Sequence, residues 1–170
     1  MQSVKTLMCL SVLATVAACD SVTKPEPPVC RVDGAHIDTR SSGNAGCIIR
    51  YQDKLLVVQH RNSGAFDTPG GTSDDGETAQ CTAHRETFEE TGFNVEVGKL
   101  VGEAENGFRF YQCTLHDDFG ADLTEFSVPP WSSLEIEKVL MLDPYETQAD
   151  QWRYKDAQLR KLLQMLNETE

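Results

Sequence analysis

The stretch from Gly71 to Phe93 constrains this chain more than any other. It reads Gly71, five residues, Glu77, seven residues, then Arg85-Glu86-Thr87-Phe88-Glu89-Glu90-Thr91-Gly92-Phe93. Seven of its positions are glycine, glutamate or arginine, residues of roughly 5–7% average usage, so one placement arises by chance with a probability on the order of 10⁻⁸. Pro69-Gly70-Gly71 reads as a turn that ends a strand, because proline fixes φ and glycine permits positive φ. Asp74, Asp75 and Thr78 are candidate helix caps, the segment from Thr78 to Thr91 holds no glycine or proline, and Gly92 is placed to stop a helix.

On that helix Glu86, Glu89 and Glu90 stand at i, i+3 and i+4 and share a face. Like charges so close repel unless a cation neutralises them. Carboxylate oxygens suit hard cations such as Mg²⁺ or Mn²⁺, and Mg²⁺ binds through few carboxylates together with water and substrate phosphates. Arg85 can hold a carboxylate in a bidentate pair, and Glu77 is its natural partner. A solvated acidic face is the ordinary explanation of a bare Glu-x-x-Glu-Glu in an acidic chain. The complete pattern, with its glycines and its Arg85–Glu77 pair, favours a metal site.

This run resembles the Nudix box, Gly-x5-Glu-x7-Arg-Glu-U-x-Glu-Glu-x-Gly-U, in which U is a bulky aliphatic residue. Every fixed position matches. Thr87 departs from the U pattern, which predicts a small packing loss rather than lost activity, and Phe93 fills the last U position with an aromatic ring. Phe66-Asp67-Thr68-Pro69-Gly70-Gly71 looks like the family's entry strand and turn, and Ala83 is the small residue usual before the arginine. The resemblance implies an α/β Nudix fold, a mixed β-sheet sandwiched between helices, over residues 45–170. It also implies Glu86, Glu89 and Glu90 as ligands of Mg²⁺ or Mn²⁺, the Gly71 carbonyl as a further ligand, and Glu77 and Arg85 as an orienting pair. Many members add a carboxylate from a later loop. Here Glu135 best fits that place as ligand or general base, with Glu137 and Glu125 as alternatives. The implied reaction is hydrolysis of a diphosphate linkage in a nucleoside diphosphate joined to another group. The competing class is a Nudix-like module that binds a phosphorylated ligand without cleaving it. A full set of five charged residues argues against that class, because a sensor does not need them all.

The N-terminus supplies a second signal. Lys5 precedes an apolar stretch from Leu7 to Ala18 that is interrupted by Ser11 and Thr15. Crossing a bilayer takes roughly 20 residues, so this reads as a secretory signal over residues 1–18. Val16-Ala17-Ala18-Cys19 resembles a bacterial lipobox, which implies lipidation of Cys19, a membrane anchor and a place in the cell envelope, on the periplasmic face. The alternative is a secreted protein cleaved near Ala18. Residues 19–44 form a tether and N-terminal extension, in which Pro25, Pro27 and Pro28 favour an extended chain.

The formal charge of −12 becomes −13 once residues 1–18, with Lys5 and no acid, are set aside. Such a surface repels nucleic acid, which leaves a small diphosphate arriving with its own cation as the compatible substrate. Nucleotide sugars, dinucleotides, ADP-ribose and lipid-linked diphosphates are candidates. Cys30, Cys47, Cys81 and Cys113 remain after Cys9 and Cys19, an even number that suggests disulfides of three possible connectivities. His36, His60, His84 and His116 are scattered and there is no Cys-x-x-Cys pair, which argues against zinc.

Residues 47–51 and 54–60 read as strands around a Gln52-Asp53 turn, and the second is apolar on both faces. Further strands are expected over 94–101, 108–115 and 136–142. Leu159, Leu162, Leu163 and Leu166 give an amphipathic helix over 150–166, with Trp152 packed on it. Phe108, Phe110 and Trp131 are candidates to line a substrate pocket. For the two phenylalanines, a place in the sheet core is the ordinary alternative.

Overall fold

The structure is a computed structural model and describes residues 22–40, 42–115 and 123–168. The signal segment expected over residues 1–18, Cys19 and His116 lie outside the described residues.

Strands β1 (Ala45–Ile48), β2 (Arg50–Tyr51), β3 (Lys54–His60), β4 (Phe66–Asp67) and β5 (Gly70–Gly71) come first. Helix α1 (Ala79–Thr91) follows, then β6 (Glu96–Glu103), β7 (Arg109–Thr114), β8 (Glu125–Phe126), β9 (Ile136–Leu142) and helix α2 (Lys155–Glu168). One sheet runs β5-β1-β7-β6, with β1 and β7 parallel and the other pairs antiparallel. The other runs β2-β3-β9-β8, with β4 also on β3, and is antiparallel throughout.

The doubly apolar reading of β3 explains the layering. Leu55, Leu56, Val57 and Val58 are all fully buried. Leu56 and Val58 pack with Ala79 and Ala83 of α1, whereas Leu55 and Val57 pack with Leu162, Met165 and Leu166 of α2. Alternate side chains of one strand therefore serve two cores, and the helices cover opposite faces. At roughly 1.5–3 kcal/mol for each such side chain, these four supply about 6–12 kcal/mol of transfer free energy before chain entropy is counted.

Three expectations need correction. Gly70 and Gly71 are not a turn alone but a short strand, in register with Gly46 and Ala45. A Cβ on Gly70 would lie 2.5 Å from the Gly46 Cα, so only glycine lets these backbones meet. Helix α2 begins at Lys155 rather than near 150, because residues 149–151 form a 3-10 turn and Lys155 itself adopts φ 53°. Phe110 belongs to the core beside α2, tilted against Phe108, and presents no free face to a ligand.

The extension before Asn44 packs on the domain. Cys30 is bonded to Cys81 at the start of α1, and Val32 bridges Val97 of β6. Cys47 and Cys113 join β1 to β7 inside the core.

Candidate active site

Helix α1 carries most of the site, and its ends are fixed by local chemistry. The Thr78 hydroxyl accepts the Cys81 N–H at 3.3 Å, a cap worth about 1 kcal/mol. Gly92 adopts φ 78° and donates its N–H to the Phe88 carbonyl, closing the last turn. The small residues Ala79, Ala83 and Thr87 turn toward the sheet and are buried. Thr87 satisfies its hydroxyl by donating to the Ala83 carbonyl at 2.7 Å, so the departure from the aliphatic pattern leaves no unpaired polar group.

The opposite arc of the helix presents the charges. Arg85 donates Nε and one terminal nitrogen to the two oxygens of Glu77, each at 2.9 Å. The same guanidinium reaches the Thr72 carbonyl at 2.7 Å, Glu86 at 2.8 Å and, at 3.4 Å, Glu89. Glu77 also accepts the Asp74 N–H and the Thr82 hydroxyl. Burial alone would raise the Glu77 carboxyl, but the hydrogen bonds from Arg85, Asp74 and Thr82 outweigh it and hold the group below its usual range. For Glu86 the balance reverses: burial raises its carboxyl despite the adjacent arginine.

Gly71 closes this cluster. A Cβ there would sit 2.5–2.6 Å from the Glu86 carboxylate atoms, so the glutamate occupies the space that glycine leaves. Glu90 lies deepest. It accepts the Gly70 N–H at 2.9 Å and is 7% exposed. Burial pushes its carboxyl well above the usual range, against the Gly70 hydrogen bond, and the negative charges of Asp67, Glu86 and Glu135 push it the same way. The last turn of the helix is held from outside by Trp131, whose Nε1 donates to the Glu89 carbonyl at 3.0 Å, and by Ser132, whose hydroxyl donates to the Glu90 carbonyl.

Sequence reasoning and structure meet on Gly71, Glu77, Arg85, Glu86, Glu89 and Glu90, which are brought together. Glu135 reaches Glu90 electrostatically, while its own side chain is exposed. Glu125 and Glu137 are exposed on β8 and β9. Trp131 stacks on Phe88 at 5.8 Å between centroids, which makes it a brace for α1. Phe108 packs against the α2 core. His60 and His84 are buried among local partners, with His84 Nε2 2.9 Å from Asn94 Oδ1. Two residues escaped the sequence reading. Asp67 lies close enough to bear on the charge of Glu90 and accepts a hydrogen bond from Gln158 of α2 at 2.6 Å, and Lys24 pairs with Glu89.

Among the described residues no three carboxylate, histidine or cysteine side chains close into a preformed metal cage. The donor set nevertheless fits a hard divalent cation. Glu86 abuts the Gly71 backbone, Glu90 is a buried carboxylate with negative neighbours, and Mg²⁺ completes its shell with water and phosphate rather than with protein alone.

The sequence model of the NUDIX domain matches residues 41–159, and the chain belongs to this family. A MutT-like protein of Streptomyces ambofaciens is 37% identical over 65 residues, 38% of this chain and 42% of its own length. A nucleoside diphosphate-linked moiety X motif 6 protein of Xenopus laevis is 44% identical over 66 residues, 37% of this chain and 30% of its own. The chain thus matches less than half the length of these relatives. Among solved structures, an ADP-ribose pyrophosphatase of Streptococcus suis superposes with a TM-score of 0.59 at 20% identity, over 75% of this chain and 90% of that one. A UDP-X diphosphatase gives 0.58 at 15% identity, over 81% and 68%. These likenesses carry the fold: two β-sheets, one of them mixed, with two helices, of the Nudix kind.

Proposed function

We propose that this protein is a divalent-metal-dependent pyrophosphohydrolase acting on a diphosphate linkage in a nucleoside diphosphate-X type compound. The observation that carries this reading is the cluster on α1. Glu77 fixes Arg85, Arg85 aligns Glu86 and Glu89, and Glu90 is buried below them at the Gly70 backbone. Glu86, Glu89, Glu90 and the Gly71 carbonyl would hold Mg²⁺ or Mn²⁺. Bound there, the cation would neutralise phosphate charge and acidify a water.

The residues of the chain supply the rest. Arg85, locked on Glu77, keeps Glu86 and Glu89 from splaying under their mutual repulsion. Glu135, whose charge bears on Glu90, would take the proton of the attacking water, with Glu137 and Glu125 as the alternatives. Attack at one phosphorus breaks the bridging P–O bond, and the second phosphate leaves with that oxygen. A relative that is a nucleoside diphosphate-linked moiety X motif 6 protein, and a structural neighbour that is a UDP-X diphosphatase, support a nucleotide-diphosphate substrate class. The lipobox-like Val16-Ala17-Ala18-Cys19 supports a lipid anchor at Cys19 and work at the cell envelope, on the periplasmic face.

The test is turnover of nucleotide sugars, dinucleotides, ADP-ribose and lipid diphosphates with Mg²⁺ or Mn²⁺, with products identified by mass spectrometry. Glu89→Gln and Glu90→Gln should each lower kcat by about 10²-fold or more while changing KM far less, if their contacts strengthen in the transition state. Ligand-induced melting shifts without turnover, in folded protein that binds metal, would instead identify a sensor.

A further inference from the structure

We infer that Lys24 is a built-in competitor for the divalent cation, held over Glu89 by the Cys30–Cys81 disulfide and displaced when metal binds. The inference rests on the metal-site reading above. Its observation is the contact itself: the Lys24 ammonium pairs with the Glu89 carboxylate, the lysine half-exposed and the glutamate 16% exposed. Lys24 also lies close enough to bear on the charge of Glu86. A cation of the chain thus stands where the carboxylates call for one.

The segment that carries Lys24 is anchored close behind it. Cys30 is bonded to Cys81. Val97 then fixes the next residues, donating to the Arg31 carbonyl and accepting the Asp33 N–H, both at 2.9 Å. Between Lys24 and Cys30 stand Pro25, Pro27 and Pro28. At about 3.1 Å per residue, an extended spacer of this length reaches roughly 19 Å. Cys81 and Glu89 are eight residues apart on one helix, about 12 Å along its axis. The spacer is therefore long enough to reach the carboxylate, and a short stiff tether gives the ammonium a high effective concentration there. A partly exposed ion pair of this kind is weak, so a divalent cation can displace it.

The test is Mn²⁺ affinity, read from free Mn²⁺ by electron paramagnetic resonance, on the full chain and on Lys24→Gln, Cys30→Ser/Cys81→Ser and Glu89→Gln. Lys24→Gln should bind Mn²⁺ about two- to fivefold more tightly, the size expected from losing one partly exposed competing pair. The disulfide variant should tighten too, although it keeps the lysine charge. Equal or weaker affinity in Lys24→Gln overturns the inference and leaves the proposed function standing. Tightening in Lys24→Gln without any in the disulfide variant also overturns it, because charge removal alone would then suffice. Failure of the wild-type protein and the Lys24 and disulfide variants to bind Mn²⁺ overturns both readings. If the disulfide variant does not fold, amine acylation of the wild-type protein decides: Lys24 labelling should rise severalfold on adding Mn²⁺, and unchanged labelling rejects the competition.

Discussion

The Glu90 carboxylate accepts the Gly70 N–H and lies enclosed with Asp67, Glu86 and Glu135 near it. Without a cation the fold favours its protonated form. The folded state then binds more protons than the unfolded chain, from the ordinary carboxyl value of 4.5 up to the raised one. Across that interval stability contributed by this group falls as pH rises; below it the contribution is fully present. We expect the melting temperature of metal-free protein to fall as pH rises above the ordinary carboxyl range, and Mg²⁺ or Glu90→Gln to flatten the slope. Melting curves in chelator and in Mg²⁺ measure this, and identical slopes in the two would discard the account. Glu77 runs the other way. Its lowered carboxyl stabilises above the ordinary value and loses that contribution as pH falls through the depressed one, so the two groups separate in acid.

At the scale of elements, β1 and β7 are parallel neighbours joined by Cys47–Cys113, which are 66 residues apart in sequence. Closing a loop of that length removes unfolded-chain entropy worth roughly 4 kcal/mol at 25 °C. Cys47→Ala/Cys113→Ala should therefore lower the melting temperature by on the order of 10 °C. A drop of only about 2 °C would show that strand pairing and packing hold the two strands unaided. The elements were legible to different degrees, for physical reasons. Helix α1 could be read in full because its caps, its charged arc and its stop are all local. The strands over Lys54–His60 and Ile136–Leu142 were equally plain, whereas the run 47–51 divides between β1 and β2, which lie in different sheets. The Gly70–Gly71 ladder was not, since its pairing comes from β1 and two glycines carry no strand signal. The start of α2 was hidden because the 3-10 turn over Ala149–Gln151 has helix-like composition. Phe108 and Phe110 stand in the sheet core that α2 shares, the ordinary place for aromatic residues on a strand. The disulfide pairs and the Lys24–Glu89 contact join residues tens of positions apart, and no periodicity records them.

For the molecule as a whole, the lipobox-like run proposed at residues 16–19 bears on where the protein works. No helix among the described residues is long and apolar enough to cross a membrane. Membrane association, if it occurs through Cys19, should need detergent for release, and Cys19→Ser should move the protein to the soluble fraction. Recovery of both proteins in the soluble fraction would remove the anchor from the account. The anchored extension has a consequence for reach. Cys30 is eleven residues from Cys19, whereas Lys24 is five. At up to about 3.5 Å per residue, the greatest span between a lipidated Cys19 and the nearest fixed point would shorten from roughly 38 Å to roughly 18 Å when Lys24 rests on Glu89. Metal binding would then lengthen the leash, so that the loaded enzyme sweeps a deeper shell of solvent than the empty one, which stays with its carboxylates close to the lipid surface.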